Sequence, residues 1–209
     1  LNALQDKLNK ERGILARENT KIDNANFDQE KKNALKDLKQ RENYCRYYVN
    51  NYNAPDLPPS WAIIEELTLG ELSHLYKGLA KDADRKAISK RFNTSQDKLA
   101  SWLHTLTFIR NCCAHHARLW NRELPIAPKL MRDPEWQLPA VLPNSQIQPS
   151  KRLFAVLLLL SYLMRQISPD SKWINKLLTL IEDHPDVPVK NMGFPENWHK
   201  YDLLQPAQE

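Results

Sequence analysis

Apolar residues recur at helical spacing along most of the chain, in segments separated by prolines, asparagines and polar turns. The first 52 residues are highly charged and carry two such runs, which break near residues 23–26. This pattern predicts a charged helical hairpin. The apolar positions of its two runs are Leu1, Leu4, Leu8, Leu15 and Ile22, then Leu35, Leu38, Cys45 and Val49.

Prolines at positions 55, 58 and 59 predict a stiff connector after the hairpin. Ser60 is then expected to cap a helix that begins at Trp61, bends near Gly70 and ends near Gly78. Further helices are predicted over residues 84–92, 95–121, 151–167 and 170–183. Residues 125–149 hold six prolines and no sustained periodicity, which predicts an extended surface crossing. No strand is predicted, so the expected fold class is all-α, with a hairpin at 1–52 and a helical domain at 53–209.

The predicted helix over residues 95–121 has two chemically distinct faces. At about 100° per residue its apolar face is predicted to be buried, and the opposite polar face has the character of an anion-binding surface. The apolar face comprises Leu99, Trp102, Leu106, Ile109, Cys113 and Ala117, and the polar face comprises His104, Thr107, Asn111, His115, Arg118 and Arg122. Arg110 lies between the faces, about 140° around the wheel from His115. A compact site therefore needs a kink, long side-chain reach or a second copy of the helix, which favours a homodimer or higher homo-oligomer.

This polar face has the groups needed for RNA cleavage without a metal. An imidazole can take the proton from a 2′-hydroxyl or protonate the leaving 5′-oxygen, while guanidinium groups neutralise the phosphorane. Cys112, Cys113, His115 and His116 fan out around the helix, so neither a metal site nor a cofactor is predicted. His116 is expected to be a buried imidazole and is the alternative base. The indoles of Trp61 and Trp120 are expected to pack rather than stack on bases.

Composition adds modest constraints. The net charge of +5 and pI near 9.0 permit an anionic partner without requiring one. Three cysteines, two of them adjacent, suit a reducing cytoplasm better than a disulfide framework. The longest apolar stretch is too short for a membrane span. The chain starts without an initiator Met or a signal peptide, and we expect upstream residues to be missing.

Two sets of basic residues are candidates for RNA binding. The first is His104 with Arg118 and Arg122, which are predicted to hold substrate phosphates; interhelical salt bridges stay open as the alternative for the two arginines. The second lies in the hairpin, where a solvated face and an RNA-facing strip both remain open as interpretations. The hairpin set comprises Lys31, Lys32, Lys36, Lys39, Arg41 and Arg46.

Several motifs resemble those of the AbiD/AbiF abortive-infection family. The central one is RNCCAHHARLWNREL at residues 110–124, preceded by SWLHTL at 101–106. Similar segments are PPSWA at 58–62, LGELS at 69–73 and MGFPENW at 192–198. The resemblance covers about residues 44–200, and its Arg-Asn-x-x-x-His core is the motif of HEPN ribonucleases.

The resemblance implies a HEPN-type helical bundle, related to the nuclease domains of type VI CRISPR effectors. It implies that Arg110 and His115 are the catalytic pair and that Asn111 positions them. It further implies a bacterial phage-defence role of the toxin-antitoxin kind, a dimer in which two motifs meet, and a structured noncoding RNA partner that acts as antitoxin.

Two other classes of function stay open on the sequence. One is a catalytically silent HEPN protein that binds RNA or serves as a scaffold, because a motif alone does not establish turnover. The other is a DNA-binding helix-turn-helix over residues 85–99, with Asn93 at the left-handed turn position. The long apolar face of the second helix disfavours DNA recognition, because a recognition helix exposes its N-terminal residues.

Overall fold

Helices account for the regular structure of residues 2–205, the part of the chain that the computed structural model describes, with side chains from Leu4 onward. No strand occurs within that range, so the all-α prediction is confirmed. The chain divides into two compact units, one ending at Leu75 and the other starting at Tyr76. Nine α-helices are described: α1 Asn2–Asn24, α2 Gln29–Arg41, α3 Tyr44–Asn51, α4 Ser60–Glu65, α5 Leu69–Lys77, α6 Asp82–Lys90, α7 Gln96–Ala114, α8 Leu153–Ile167 and α9 Trp173–Glu182.

Three helices, α1 to α3, lie in the part of the first unit where the sequence predicted a hairpin of two. The second predicted run divides between α2 and α3, because the Asn43 side chain caps α3 by accepting a hydrogen bond from the Arg46 N–H at 3.2 Å. Glu66 reinforces this break, since its carboxylate accepts hydrogen bonds from the Asn43 amide and, at 2.9 Å, from the Tyr44 N–H. Leu1, which the first predicted run included, lies outside the described residues.

The helix predicted to begin at Trp61 is also interrupted. Thr68 and Glu71 form a capping box, in which the Glu71 N–H donates to Thr68 Oγ1 at 3.2 Å and the Thr68 N–H donates to Glu71 Oε2 at 2.8 Å. This box starts α5 afresh, so the predicted bend at Gly70 is instead a break before Leu69. Ser60, predicted as a cap, is the first helical residue. Trp61, expected to pack, is 69% exposed.

The compact units and the predicted domains divide at different places. Residues 60–75 belong with the first unit, and the contact of Glu66 with Asn43 and Tyr44 is one reason. The sequence-based division into 1–52 and 53–209 stays a prediction, and its last four residues lie outside the described range.

The core of the second unit is aromatic. Trp102 of α7 stacks on Trp136 with ring centroids 5.8 Å apart, and Tyr162 of α8 meets both rings edge-on. Trp136 belongs to the proline-rich segment that was predicted to cross the surface, yet it is only 1% exposed. That prediction was wrong at Trp136, because the segment inserts an indole into the core while its polar residues stay in solvent. Phe154 and Phe194, with centroids 4.6 Å apart, extend the core toward the C-terminal segment.

All three cysteines are free, and two of them are buried as small hydrophobic side chains. Cys45 is fully buried in the first unit, and this burial raises the pKa of its thiol to about 11. Cys112 is buried and Cys113 is exposed.

Among the helices of the described chain, none is both long and apolar enough to cross a membrane.

Candidate functional site

The last turn of α7 presents Arg110 and Asn111 to solvent. The Arg110 guanidinium donates a hydrogen bond to Asn111 Oδ1 at 3.0 Å, so the two side chains form one polar unit. Ile109 and Cys112 flank them in sequence and are buried against the rest of the second unit. The alternation of anchored and exposed positions fixes this turn firmly while leaving its polar groups accessible.

The helix ends at Ala114, seven residues earlier than predicted, through a Schellman motif. His115 is the C-cap, and its N–H donates to the Asn111 carbonyl at 3.0 Å. The next residue, His116, adopts the left-handed conformation with φ of 52°. The motif closes with the Ala117 N–H donating to the Cys112 carbonyl at 2.8 Å and the His116 N–H to the Cys113 carbonyl at 3.1 Å.

This early end limits what the helical wheel can predict. The exposure that the wheel predicts for Asn111 and His115 is observed, and Arg110 is exposed as well. The wheel fails from His116 onward, because a left-handed residue redirects the chain away from the helix axis. The predicted burial of His116 is therefore wrong, and its imidazole is exposed. The turn does not remove the angle of about 140° around the helix axis that separates Arg110 from His115. Pairing of two protomers therefore remains a prediction.

The buried face of α7 also differs in detail from the predicted one. Its buried residues are Leu99, Trp102, Thr105, Ile109 and Cys112. Cys113, predicted to be in the core, is exposed because steps of three and four residues carry the face through Cys112. Thr105 is tolerated there because its hydroxyl donates to the Ser101 carbonyl at 3.1 Å.

The residues predicted to hold phosphates are placed differently from one another. His104 is exposed on α7, whereas Arg118 and Arg122 follow the Schellman motif and so do not continue its polar face. Arg118 is exposed, while Arg122 is half-buried with its guanidinium 5.2 Å from the centroid of the Phe108 ring. Their contact with phosphate stays a prediction.

The segment after the motif is fastened to α8 and the turn before it. The Leu124 N–H donates to the Lys151 carbonyl at 2.8 Å, and Leu124 is buried beside Val156. Asn121 adopts φ of 52°, and its side chain accepts a hydrogen bond from Arg152 at 3.4 Å. Neither Arg152 nor Asn121 was predicted from the sequence to support this segment. The one available signal was Asn121 itself, since asparagine is enriched at left-handed positions.

The basic residues of the strip predicted in the first unit form ion pairs, a hydrogen bond and a cation–π contact with other residues of that unit. Lys36 pairs with the Asp23 carboxylate at 2.6 Å, and Arg46 with the Glu11 carboxylate at 2.9 Å. The Lys32 ammonium donates to the Asp23 carbonyl at 2.8 Å. Further contacts join Lys31 to the Phe27 ring, Lys39 to Glu42 and Arg41 to Asp37. These contacts favour the solvated-face interpretation, because charges already paired have less to offer a phosphate backbone.

The helix-turn-helix prediction has a counterpart in the turn between α6 and α7, where Asn93 takes φ of 47°. Ser95 caps α7 by accepting a hydrogen bond from the Lys98 N–H. The Gln96 side chain, which a recognition helix would offer to bases, instead accepts a hydrogen bond from Arg85 at 3.3 Å. This engagement disfavours DNA reading by α7.

Metal ligands are not gathered anywhere in residues 2–205, where no group of three or more His, Cys, Asp or Glu side chains is arranged to hold an ion.

Comparison with known protein families gives a match to the Abi-like protein family over residues 4–121, which is more than half of the chain. The chain belongs to the Abi-like protein family. The match takes in all of α7 and the Arg110 to His115 motif, and it starts 40 residues before the resemblance expected from the sequence. No curated protein and no solved structure gives a significant match. Membership of the Abi family is thus confirmed, while the AbiD/AbiF branch and the relation to HEPN nucleases remain predictions.

Proposed function

We propose that this Abi-like protein is a metal-independent endoribonuclease of a bacterial phage-defence system. The observation that carries the proposal is the end of α7, where an exposed Arg110–Asn111 pair precedes an exposed His115 on the helix cap. The same residues fall within the match to the Abi-like family and carry the resemblance to HEPN ribonucleases.

The proposed reaction is an internal transesterification of RNA. The 2′-oxygen attacks the adjacent phosphorus and loses its proton, the bond from phosphorus to the 5′-oxygen breaks, and the 5′-oxygen takes up a proton. His115 transfers these protons as general base or acid, and Arg110 stabilises the charge on the phosphorane. Asn111 orients the guanidinium through their hydrogen bond. The products are a 2′,3′-cyclic phosphate and a 5′-hydroxyl.

The proposed assembly is a homodimer in which two α7 motifs face one RNA strand. A structured noncoding RNA holds the enzyme in check in uninfected cells, and infection releases it. The proposed setting is the bacterial cytoplasm.

The test is cleavage of 5′-labelled single-stranded RNA by the purified protein in EDTA. Arg110→Ala and His115→Ala are each expected to lose at least about 100-fold in rate, the lower range for loss of one charge-stabilising donor and for loss of general acid–base catalysis, respectively. Matched controls are Arg132→Ala and His184→Ala, which remove exposed residues of the same types elsewhere in the second unit. A substrate with a single 2′-deoxy nucleotide should resist cleavage at that position.

Undiminished cleavage by both variants would refute the assignment of the catalytic pair. Binding of RNA without cleavage by any form of the protein would instead establish the silent RNA-binding alternative.

A further inference from the structure

A cavity of about 320 Å³ lies in the first unit between α1, α3 and the segment that follows α3. Its size is at the lower end of the roughly 300–1,000 Å³ typical of ligand sites. The lining mixes aromatic rings with polar groups, and it includes Gln5, Arg12, Tyr48, Tyr52, Asn53 and Asp56. We call it the tyrosine pocket.

The aromatic side of the tyrosine pocket is fixed in place before any ligand arrives. Tyr48 is buried, and its hydroxyl donates to the Pro55 carbonyl at 2.6 Å. Tyr52 stacks on Tyr48 with ring centroids 5.2 Å apart and an interplanar angle of 29°. Tyr47 meets Tyr52 edge-on at 6.2 Å. Tyr52 is nevertheless 50% exposed, so a supported ring is available for a further stacking partner.

The polar side contains a cation that no described carboxylate neutralises. Arg12 is exposed, donates only to the Asn9 side chain at 3.2 Å, and pairs with no carboxylate among the described residues. Arg46 of the same unit, by contrast, is paired with two carboxylates. The Asp56 carboxylate also lines the pocket. Because this negative charge would repel a phosphate placed inside the pocket, the pocket suits a neutral ring whose amino group donates to Asp56.

We propose that the tyrosine pocket binds an unstacked, amino-bearing base of single-stranded RNA. The base stacks on Tyr52, its exocyclic amino group donates to Asp56, and Arg12 contacts the adjoining phosphate. Base stacking on aromatic side chains is the usual way in which proteins hold single strands. The choice of RNA rests on the proposed function, but the pocket shares no residue with the set proposed for cleavage.

The test measures binding of a fluorescein-labelled heptamer of adenylate by fluorescence anisotropy. The full chain carries His115→Ala so that the RNA stays intact. Tyr52→Ala is expected to weaken binding about tenfold, since one stacked base contributes roughly this much, whereas Tyr52→Phe retains the ring and the affinity. The matched control is Trp61→Ala, which removes a more exposed aromatic ring from the same unit. Arg12→Gln is compared with Arg17→Gln, the loss of another exposed arginine of α1.

The contribution of Asp56 is read from base preference. The adenylate heptamer should bind more tightly than a uridylate heptamer, because uracil has no exocyclic amino group. Asp56→Ala, which leaves no side-chain acceptor, is expected to reduce the ratio of the two affinities about threefold, the effect of one hydrogen bond. Circular dichroism of each variant verifies that the helices are retained.

Three results would overturn the inference: no binding of the heptamer, equal weakening by Tyr52→Ala and Trp61→Ala, or complete competition by inorganic phosphate. The last would indicate a phosphate-binding protein surface. Failure of the inference about the tyrosine pocket is distinguishable from failure of the proposed function. Cleavage that depends on Arg110 and His115, with binding indifferent to Tyr52, refutes the pocket alone. Binding that depends on Tyr52, with no cleavage, refutes the nuclease alone.

Discussion

Replacing His116 with glycine should stabilise the protein while leaving the proposed catalytic histidine in place. His116 holds φ of 52°, its side chain is exposed, and it donates or accepts no side-chain hydrogen bond with any described residue. A residue with a Cβ loses about 1–2 kcal/mol in the left-handed conformation, and glycine loses about 0.5–1 kcal/mol through its greater freedom in the unfolded chain. The difference predicts a net gain of roughly 0.5–1 kcal/mol in the free energy of unfolding for His116→Gly.

The neighbouring helical position supplies the matched control. Ala114 is exposed, like His116, but has helical backbone angles as the last residue of α7. Ala114→Gly should therefore lower the free energy of unfolding by up to about 1 kcal/mol. Introducing glycine at two positions only two residues apart is thus expected to change the free energy of unfolding in opposite directions.

The assay is urea denaturation followed by far-ultraviolet circular dichroism, with thermal melts as a second measurement. For a chain of this length the gain at His116 corresponds to a rise in Tm of about 1–4 °C. RNA cleavage by the same variant separates the two histidines, because His116→Gly should remain active if His115 is the base. Destabilisation by His116→Gly as large as that by Ala114→Gly would contradict the left-handed turn on which this reasoning rests.

Two further predictions concern the core and the assembly. Trp136→Ala should lower the free energy of unfolding, measured by urea denaturation, by about 3–5 kcal/mol because the ring is buried against α7. The control Val141→Ala, at an exposed position, should stay within about 0.5 kcal/mol of wild type. Light scattering on a sizing column should give the mass of a dimer or larger oligomer, as expected if Arg110 and His115 of different copies meet. A strict monomer that still cleaves RNA would rule out the paired-motif site.

The sequence predicted elements well where hydrophobic periodicity alone decides them. The helix over 151–167 differs from α8 only by its first two residues, because an unbroken apolar run has no competing structure. Breaks were missed where polar side chains compete with the helix. Asn43 and the Thr68–Glu71 capping box were both readable as start signals, but the apolar spacing ran across them.

Other features depend on tertiary packing and were outside the reach of pattern analysis. Trp136 sits among prolines with no periodicity around it, and only its packing on Trp102 and Tyr162 places it in the core. The end of α7 is similar, since histidine at a left-handed position is uncommon and no glycine marks the turn. The tyrosine pocket combines Arg12 with Tyr52, residues that only the packing of α1 against α3 brings together.

The spacing of the motif follows from where α7 stops. Asn111 and His115 are joined by a hydrogen bond from the His115 N–H to the Asn111 carbonyl, one of the bonds that close the helix, and they therefore lie on one face. Moving the histidine one residue further would place it at the left-handed position that His116 occupies, where the chain has already turned away. Moving it one residue earlier, to the position of Ala114, would rotate it by about 100° around the helix and away from the face of Asn111. Position 115 combines two properties. It is close enough to the helix to share a face with Asn111, and as the C-cap it has no further helical turn after it.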